Sequence, residues 1–267
     1  MGFALEGWAL VLGASSGFGE ATALELARRG MNIYGVHLDR RSTVENAERI
    51  AGEIRAMGRE AIFFNVNAAD PARRAEVLDA VAKRVQSEGD AAKIRVVLHS
   101  LAFGSLKPYL ADEPGDMVTK AQMEMTLDVM ANSLVYWVQD LLTMGLLARG
   151  GRVFAMTSSG GSRVWRCYGP VSAAKAALES HCRQLALELA PHGVTVNALR
   201  AGVTSTPAAR KIPGYDEMME LAIKRNPHGR ATTPADVASA LAALCLPETH
   251  WITGNVIGVD GGEDIVG

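Results

Sequence analysis

Tyr168 and Lys175 stand in the stretch "CYGPVSAAKAALE", one phenol and one ammonium with six residues between them. A phenol can donate to an oxygen that gains negative charge, and a nearby cation favours it as an acid. Lys175 has apolar neighbours on both sides in "SAAKAALES", which argues for use in a site over simple solvation. The run reads as a helix in which Pro170 suits the first turn, so Tyr168 is expected just outside its start. Helical rise and pitch put positions 168 and 171, the latter Val171, about one turn apart on nearly one face.

A second stretch could bind a phosphate. "GASSGFGEA" places Gly13, Gly17 and Gly19 between an apolar run and a helical one. Gly13 permits a tight exit from a strand, Gly17 lets the backbone approach a pyrophosphate, and Gly19 lets helix and strand pack closely. The helix N-terminus then offers free N–H groups to the phosphate. Ser15, Ser16 and Phe18 lie in the same turn and share this cofactor-binding expectation. The spacing is GxxxGxG, not GxGxxG. Further on, "VHLDRR" ends a second apolar run. Leu38 stands where an acidic residue specific for NAD would stand, Asp39 is displaced by one, and Arg40 and Arg41 could meet a 2′-phosphate. The expected cofactor is therefore NADPH, ahead of NADH.

These groups need a scaffold, and strand-like and helix-like stretches alternate along the chain. "WALVLG", "MNIYGVHL", "EAIFFNV", "IRVVLHS", "GRVFAMTS", "VTVNALRAG" and "GNVIGVDGG" read as strands. Helical patterns lie between them, including a long one over about 117–148. Such alternation predicts right-handed crossovers and one α/β domain: a doubly wound, Rossmann-type parallel sheet of about seven strands, with ligands at the strands' carboxyl ends. Residues 203–230, rich in proline, glycine and charge, follow a strand's carboxyl end and are expected to form a substrate lid.

The composition agrees. At 267 residues the chain suits one large domain without a second. Being 48% apolar with no low-complexity tract, it is not expected to be disordered. A net charge of −2 gives no electrostatic reason to expect nucleic acid or an acidic membrane as partner. No apolar run approaches a membrane span. "MGFALEGWALVLG" has no basic residue ahead of its apolar stretch and reads as a first strand, not a signal peptide. Cys167, Cys182 and Cys245 are odd in number and widely spaced, which speaks against a disulfide framework or a zinc site and fits a reducing cytoplasm. Cys167 is expected to be a small packing residue.

With these residues in view, the chain resembles the short-chain dehydrogenase/reductase family over essentially its whole length. "GASSGFG", Asn67 after the third strand, "TSS" after the fifth, Lys175 and "VNALRAGVTSTP" carry the resemblance, in that order. Within the family it looks most like the enoyl-acyl-carrier-protein reductases of type II fatty-acid synthesis. The Tyr168-x6-Lys175 spacing is the divergent pattern of those enzymes; ordinary members have three intervening residues, which here would put the tyrosine at Val171. "HSLAFG", His99 to Gly104, stands where ordinary members have Asn-Asn-Ala-Gly. The ordinary catalytic asparagine falls at Met130, with Asn132 out of register. One departure is Ser158, where many enoyl reductases carry a second tyrosine; it coincides with the ordinary family's catalytic serine.

The resemblance implies an enzyme in which Tyr168, Lys175 and Ser158 are catalytic, with Lys175 also holding the nicotinamide ribose. It further implies contacts from Asn67 and Ala68 to adenine, from Ser100, Leu101 and Ala102 to the middle of the cofactor, and from Gly202, Val203 and Thr206 to the nicotinamide amide or phosphates. The implied substrate is a 2,3-unsaturated acyl thioester on acyl carrier protein, and the implied assembly a homotetramer. Met218, Met219, Leu221 and Ile223 would cover an acyl chain, and Lys211, Lys224 and Arg225 are candidate contacts for an acidic carrier. A 3-oxoacyl or other carbonyl reductase on the same fold, and a non-catalytic dinucleotide sensor, remain the alternatives.

Overall fold

The computed structural model describes residues 3–266. Seven strands form one parallel sheet: β1 (Trp8–Leu12), β2 (Asn32–His37), β3 (Ala61–Asn65), β4 (Ile94–His99), β5 (Leu147–Ser158), β6 (Thr195–Ala201) and β7 (Val256–Val259). Their order is β3-β2-β1-β4-β5-β6-β7, so the winding reverses between β1 and β4. That switch point is where a doubly wound sheet opens a crevice at its carboxyl edge. Leu12 pairs with both Val36 and His99, which brings the ends of three strands level there.

The described residues form eight α-helices, most of them packed on the two faces of the sheet: α1 (Gly17–Arg28), α2 (Val44–Ala56), α3 (Pro71–Glu88), α4 (Lys120–Leu127), α5 (Ser133–Thr143), α6 (Gly169–Leu189), α7 (Tyr215–Arg225) and α8 (Pro234–Ala243). Each face has its own core. Val77 and Leu78 of α3, Trp137 and Leu141 of α5, and Leu178 and Cys182 of α6 pack on one side. Leu24 and Leu26 of α1, Ile50 and Ile54 of α2, and Val237 and Leu241 of α8 pack on the other. A strand buried on both faces needs continuous apolar side chains, and all five residues of β1 are buried. Local chemistry sets the helix starts. Asp70 accepts hydrogen bonds from the Ala72 and Arg73 N–H groups ahead of Pro71, and Thr233 forms a capping box with Asp236. Among the described residues no helix is long and apolar enough to cross a membrane.

Two elements differ from expectation. The helical pattern over 117–148 is two helices joined by a π turn over Asp128–Asn132. The second ends at Thr143, and the chain from Leu147 already belongs to β5, where Leu147 pairs with Ile94. An apolar run that ends a helix and opens a buried strand has no periodicity to mark the border.

Candidate active site and cofactor groove

The glycine turn after β1 is built for close approach. Gly13 has φ +89°, and a Cβ there would stand 2.5 Å from the Ser100 carbonyl oxygen at the end of β4. At Gly19 a Cβ would fall 2.0 Å from the Gly13 oxygen, so the turn and α1 touch. Gly17 faces the Thr206 methyl beyond β6. Ser16, the N-cap of α1, makes no side-chain bond to the first turn, which leaves those N–H groups available to a phosphate. This uncapped, glycine-lined cradle fits a dinucleotide pyrophosphate.

The other expected cofactor residues line the same edge with differing commitments. Ser15 accepts the Asn46 amide on its carbonyl oxygen, at 2.6 Å, and Phe18 packs on the α1–α8 core. The Asp39 carboxylate accepts the His37 Nδ1–H at 2.8 Å. Burial pushes the Asp39 carboxyl upward, but hydrogen bonds from Ser15, Thr43 and His37 outweigh it and hold the group below the ordinary aspartate range. Leu38 is exposed, as are Arg40 and Arg41, which have no carboxylate partner among the described residues. Asn67 uses its Oδ1 in a local turn to the Ala69 N–H, and the buried Ala68 gives its carbonyl to the Trp137 indole. Ser100 donates its N–H to the Leu12 oxygen, Leu101 leans on the core and Ala102 is exposed. Gly202 sits against Thr232 and Glu263. The Val203 N–H is already taken by the Glu263 carboxylate at 3.0 Å, so this donor is not free for a nicotinamide amide. Thr206 accepts from the Ala209 N–H, which leaves its hydroxyl proton free to donate.

Tyr168 and Ser158 come together at the carboxyl end of β5, and Lys175 reaches a backbone carbonyl of the same strand. Tyr168 is the N-cap residue of α6, so its Cα lies outside the regular helix. Its hydroxyl is 3.4 Å from Ser158 Oγ. That exceeds the 2.5–3.0 Å range of a formed O–H···O bond, so both hydroxyls can turn to one substrate oxygen. The Gly160 site permits this placement, since a Cβ there would stand 2.4 Å from Tyr168 Cε1 and 3.2 Å from Ser158 Oγ. Val171 is buried in the core beside Gly104. Met130 is buried in the π turn, while Asn132 accepts from His181 Nε2 at 3.1 Å. The ordinary tyrosine position is therefore filled by packing, and the nearest asparagine points at α6.

Lys175 is buried and donates to the Met156 carbonyl at 2.7 Å. Burial lowers its pKa to about 8, opposed by nearby Cys182 and Glu179. Two of its three N–H donors have no partner among the described residues and can reach ribose hydroxyls. Burial raises the Tyr168 phenol, partly offset by Ser158. Beneath them, Ser133 Oγ donates to the Val129 carbonyl at 2.8 Å, so its oxygen accepts from His99 Nε2 at 2.9 Å. Burial, then the Lys175 charge, pushes His99 down to about 3. The imidazole is thus neutral and structural. Cys167 is half-buried and has φ +62°, the one non-glycine residue with positive φ among those described.

Sequence reasoning missed Gly160, Glu263 and Glu179, whose carboxylate accepts from Thr157 at 2.7 Å. None carries a local signal; each is defined by what another segment brings to it.

Known proteins resemble this chain in sequence and fold. The family model described as "Enoyl-(Acyl carrier protein) reductase" matches residues 13–263. An enoyl-[acyl-carrier-protein] reductase [NADH] of Aquifex aeolicus is 33% identical over 173 residues, which is 64% of this chain and 63% of that protein; the match therefore spans less than two thirds of it. The crystal structure of an Aquifex aeolicus enoyl reductase superposes with a TM-score of 0.82 at 26% identity, covering 98% of both chains. A 3-oxoacyl-[acyl-carrier-protein] reductase of Aggregatibacter actinomycetemcomitans is 31% identical over 254 residues, 95% of this chain and 97% of that one. A Burkholderia cenocepacia short-chain dehydrogenase in complex with NADP has a TM-score of 0.79 at 26% identity, covering 96% and 97% of the two chains. With its glycine turn, its parallel sheet order and its Ser158–Tyr168 pair, the chain belongs to the short-chain dehydrogenase/reductase family, an oxidoreductase family.

Proposed function

We propose that the protein reduces the 2,3-double bond of enoyl thioesters carried on acyl carrier protein, using NADPH. One observation carries this reading: the phenol stands outside α6 seven residues before Lys175, and the ordinary tyrosine position is occupied by buried Val171. When bound, the nicotinamide supplies a hydride. In carbonyl reduction the carbon that takes the hydride also carries the oxygen that needs a proton. In enoyl reduction hydride goes to Cβ, and charge develops on the thioester oxygen two carbons away. A hydroxyl about one helical turn from the ordinary position suits that separated oxygen. Tyr168 donates to it, Ser158 stands beside it as a second hydroxyl, and Lys175 holds the ribose and favours Tyr168 as donor. Tyr109 lies against Gly169 beside Tyr168, and Phe103, Leu110 and Val164 are further exposed apolar side chains. Half-buried Met218 and Met219 and exposed Leu221 and Ile223 give α7 apolar surface of its own, which suits an acyl chain. Lys211, Lys224 and Arg225 are exposed on the lid and suit an acidic carrier. Exposed Trp251 and Leu187 suit assembly into a homotetramer.

A second reading is 3-oxoacyl reduction, favoured by the Ser158–Tyr168 pair and by the near full-length likeness to a 3-oxoacyl reductase. Steady-state NADPH consumption on matched enoyl and 3-oxoacyl thioesters separates the two. Enoyl reduction is expected to dominate, and turnover of the 3-oxoacyl substrate alone would replace the first reading with the second. No oxidation of NADPH with either class would favour a dinucleotide sensor. The same assay tests cofactor choice. NADPH is expected to exceed NADH in kcat/KM by at least about tenfold, since a charge-assisted phosphate contact is worth about 1.5–3 kcal/mol. Arg40→Ala with Arg41→Ala should remove most of that margin. Equal or better activity with NADH would assign the ribose hydroxyls to Asp39 instead.

Gly160→Ala should lower kcat by about 10- to 100-fold, the cost of misplacing a reacting group by about an ångström. The added methyl must push the Tyr168 ring aside, while cofactor affinity should change little. Unchanged kcat would show that the ring is not held against Gly160.

A further inference from the structure

Tyr168, at the N-cap, is tied to α6 by its carbonyl, which accepts the Ser172 N–H at 2.8 Å, while its own N–H is bonded outside the helix. Its N–H donates to the Trp165 carbonyl at 3.1 Å, which closes a β-turn over residues 165–168. Cys167 is the third residue of that turn, with φ +62°. A side chain in this left-handed region is disfavoured and persists only where surrounding contacts impose it. Trp165, the first residue of the turn, ties it to a distant segment. Its Nε1–H donates to the Pro213 carbonyl at 2.9 Å. Gly214, φ +77°, presents its Cβ-less face to the indole, where a Cβ would lie 3.3 Å from Trp165 Cζ2. Gly214 is the N-cap of α7. On the far side of the turn, Gly169 lies against the Tyr109 ring, which a Cβ would meet at 2.7 Å. Upstream, Arg163 pairs with Asp264 at 2.9 Å.

We propose that Trp165 is a positioning residue that clasps the Tyr168 turn to the start of α7, so that the place of the phenol depends on the place of the lid. The turn, the indole and the α7 N-cap form one connected unit. A lid lifted from the site pulls the Pro213 carbonyl from the indole, and the strained turn loses the contact that holds Tyr168 forward. A lid lowered over an acyl chain restores it. Proton donation is thereby tied to closure. The proposal rests on Tyr168 acting on the substrate, as in the reading above, but the clasp itself does not.

Two measurements separate these levels. Hydrogen–deuterium exchange on the ligand-free protein needs no substrate. Trp165→Ala should speed exchange in peptides covering 165–168 and 213–218 together, with peptides of the sheet unchanged. Faster exchange in only one of the two segments would overturn the clasp, whatever the enzyme reduces. The second measurement uses Trp165→Phe, which keeps a ring and removes the indole N–H. With NADPH and trans-2-butenoyl-N-acetylcysteamine, kcat should fall by about tenfold while the KM for NADPH stays near wild type. In a Tyr168→Phe background the same substitution should change kcat by less than about twofold, because an effect exerted through the phenol vanishes with it. An equal loss in both backgrounds would show a general structural role and overturn the positioning proposal. An enzyme inactive on the enoyl thioester fails the functional reading alone, and the exchange result then decides the clasp.

Discussion

Tyr168→Phe is expected to cut kcat on an enoyl thioester by about 10- to 1000-fold, the range for losing one transition-state hydrogen bond. NADPH binding should be nearly intact. The ring remains free to pack beside Gly160, and only the hydroxyl 3.4 Å from Ser158 is removed. Adding Val171→Tyr should not restore enoyl reduction. Position 171 is buried, with its side chain close against Gly104, and a new ring there overpacks the core at a cost of about 1–3 kcal/mol. A hydroxyl forced out from that position would stand about a turn from Tyr168. The measurements are steady-state rates on matched enoyl and 3-oxoacyl thioesters, with thermal unfolding of each variant to confirm that it folds. Full enoyl activity in the double variant would show that the spacing does not set the chemistry, and the main ground for the enoyl reading would be gone.

Lys175→Met should act on cofactor, turnover and stability at once. Loss of a charged donor to ribose hydroxyls should weaken NADPH binding by about 10- to 100-fold, read by fluorescence titration, and turnover should fall further. The stability effect has a defined sign. The folded-state pKa of about 8 lies below the ordinary lysine value of 10.5, so between those pH values the unfolded chain binds more protons than the folded one. Stability therefore rises with pH across that window. Below pH 8 both states are protonated, and the full cost of the buried charge is present without a slope. Relative to Lys175→Met, the ligand-free wild type should gain up to about 3 kcal/mol between pH 8 and 10.5, measured by urea unfolding at each pH. A flat difference would mean that Lys175 is not buried as a cation. Unchanged NADPH affinity would remove it from the cofactor site.

Much of this architecture was legible in the chain because its causes are local. Short apolar runs marked the strands, because such patterning acts within a few residues. The Gly13–Gly17–Gly19 turn was readable because a tight exit, a close approach and a packed helix each need a missing Cβ. The position of Tyr168 at the lip of its helix followed from Pro170. By contrast, the division of 117–148 into helix, π turn, helix and strand was hidden, since β5 begins at Leu147 only because Ile94 is there to pair with it.

The working details of the site belong to the tertiary structure. The indole that steadies the Tyr168 turn reaches a carbonyl 48 residues away. The carboxylate on the Val203 N–H comes from 60 residues downstream, and the serine that fixes the His99 tautomer lies 34 residues on. Sequence alone established which groups with chemical capability the chain carries and the sheet that aligns them. Which are buried, paired or left free was decided when distant segments met, because hydrogen bonds and contacts across such separations leave no periodicity and no spacing in the chain.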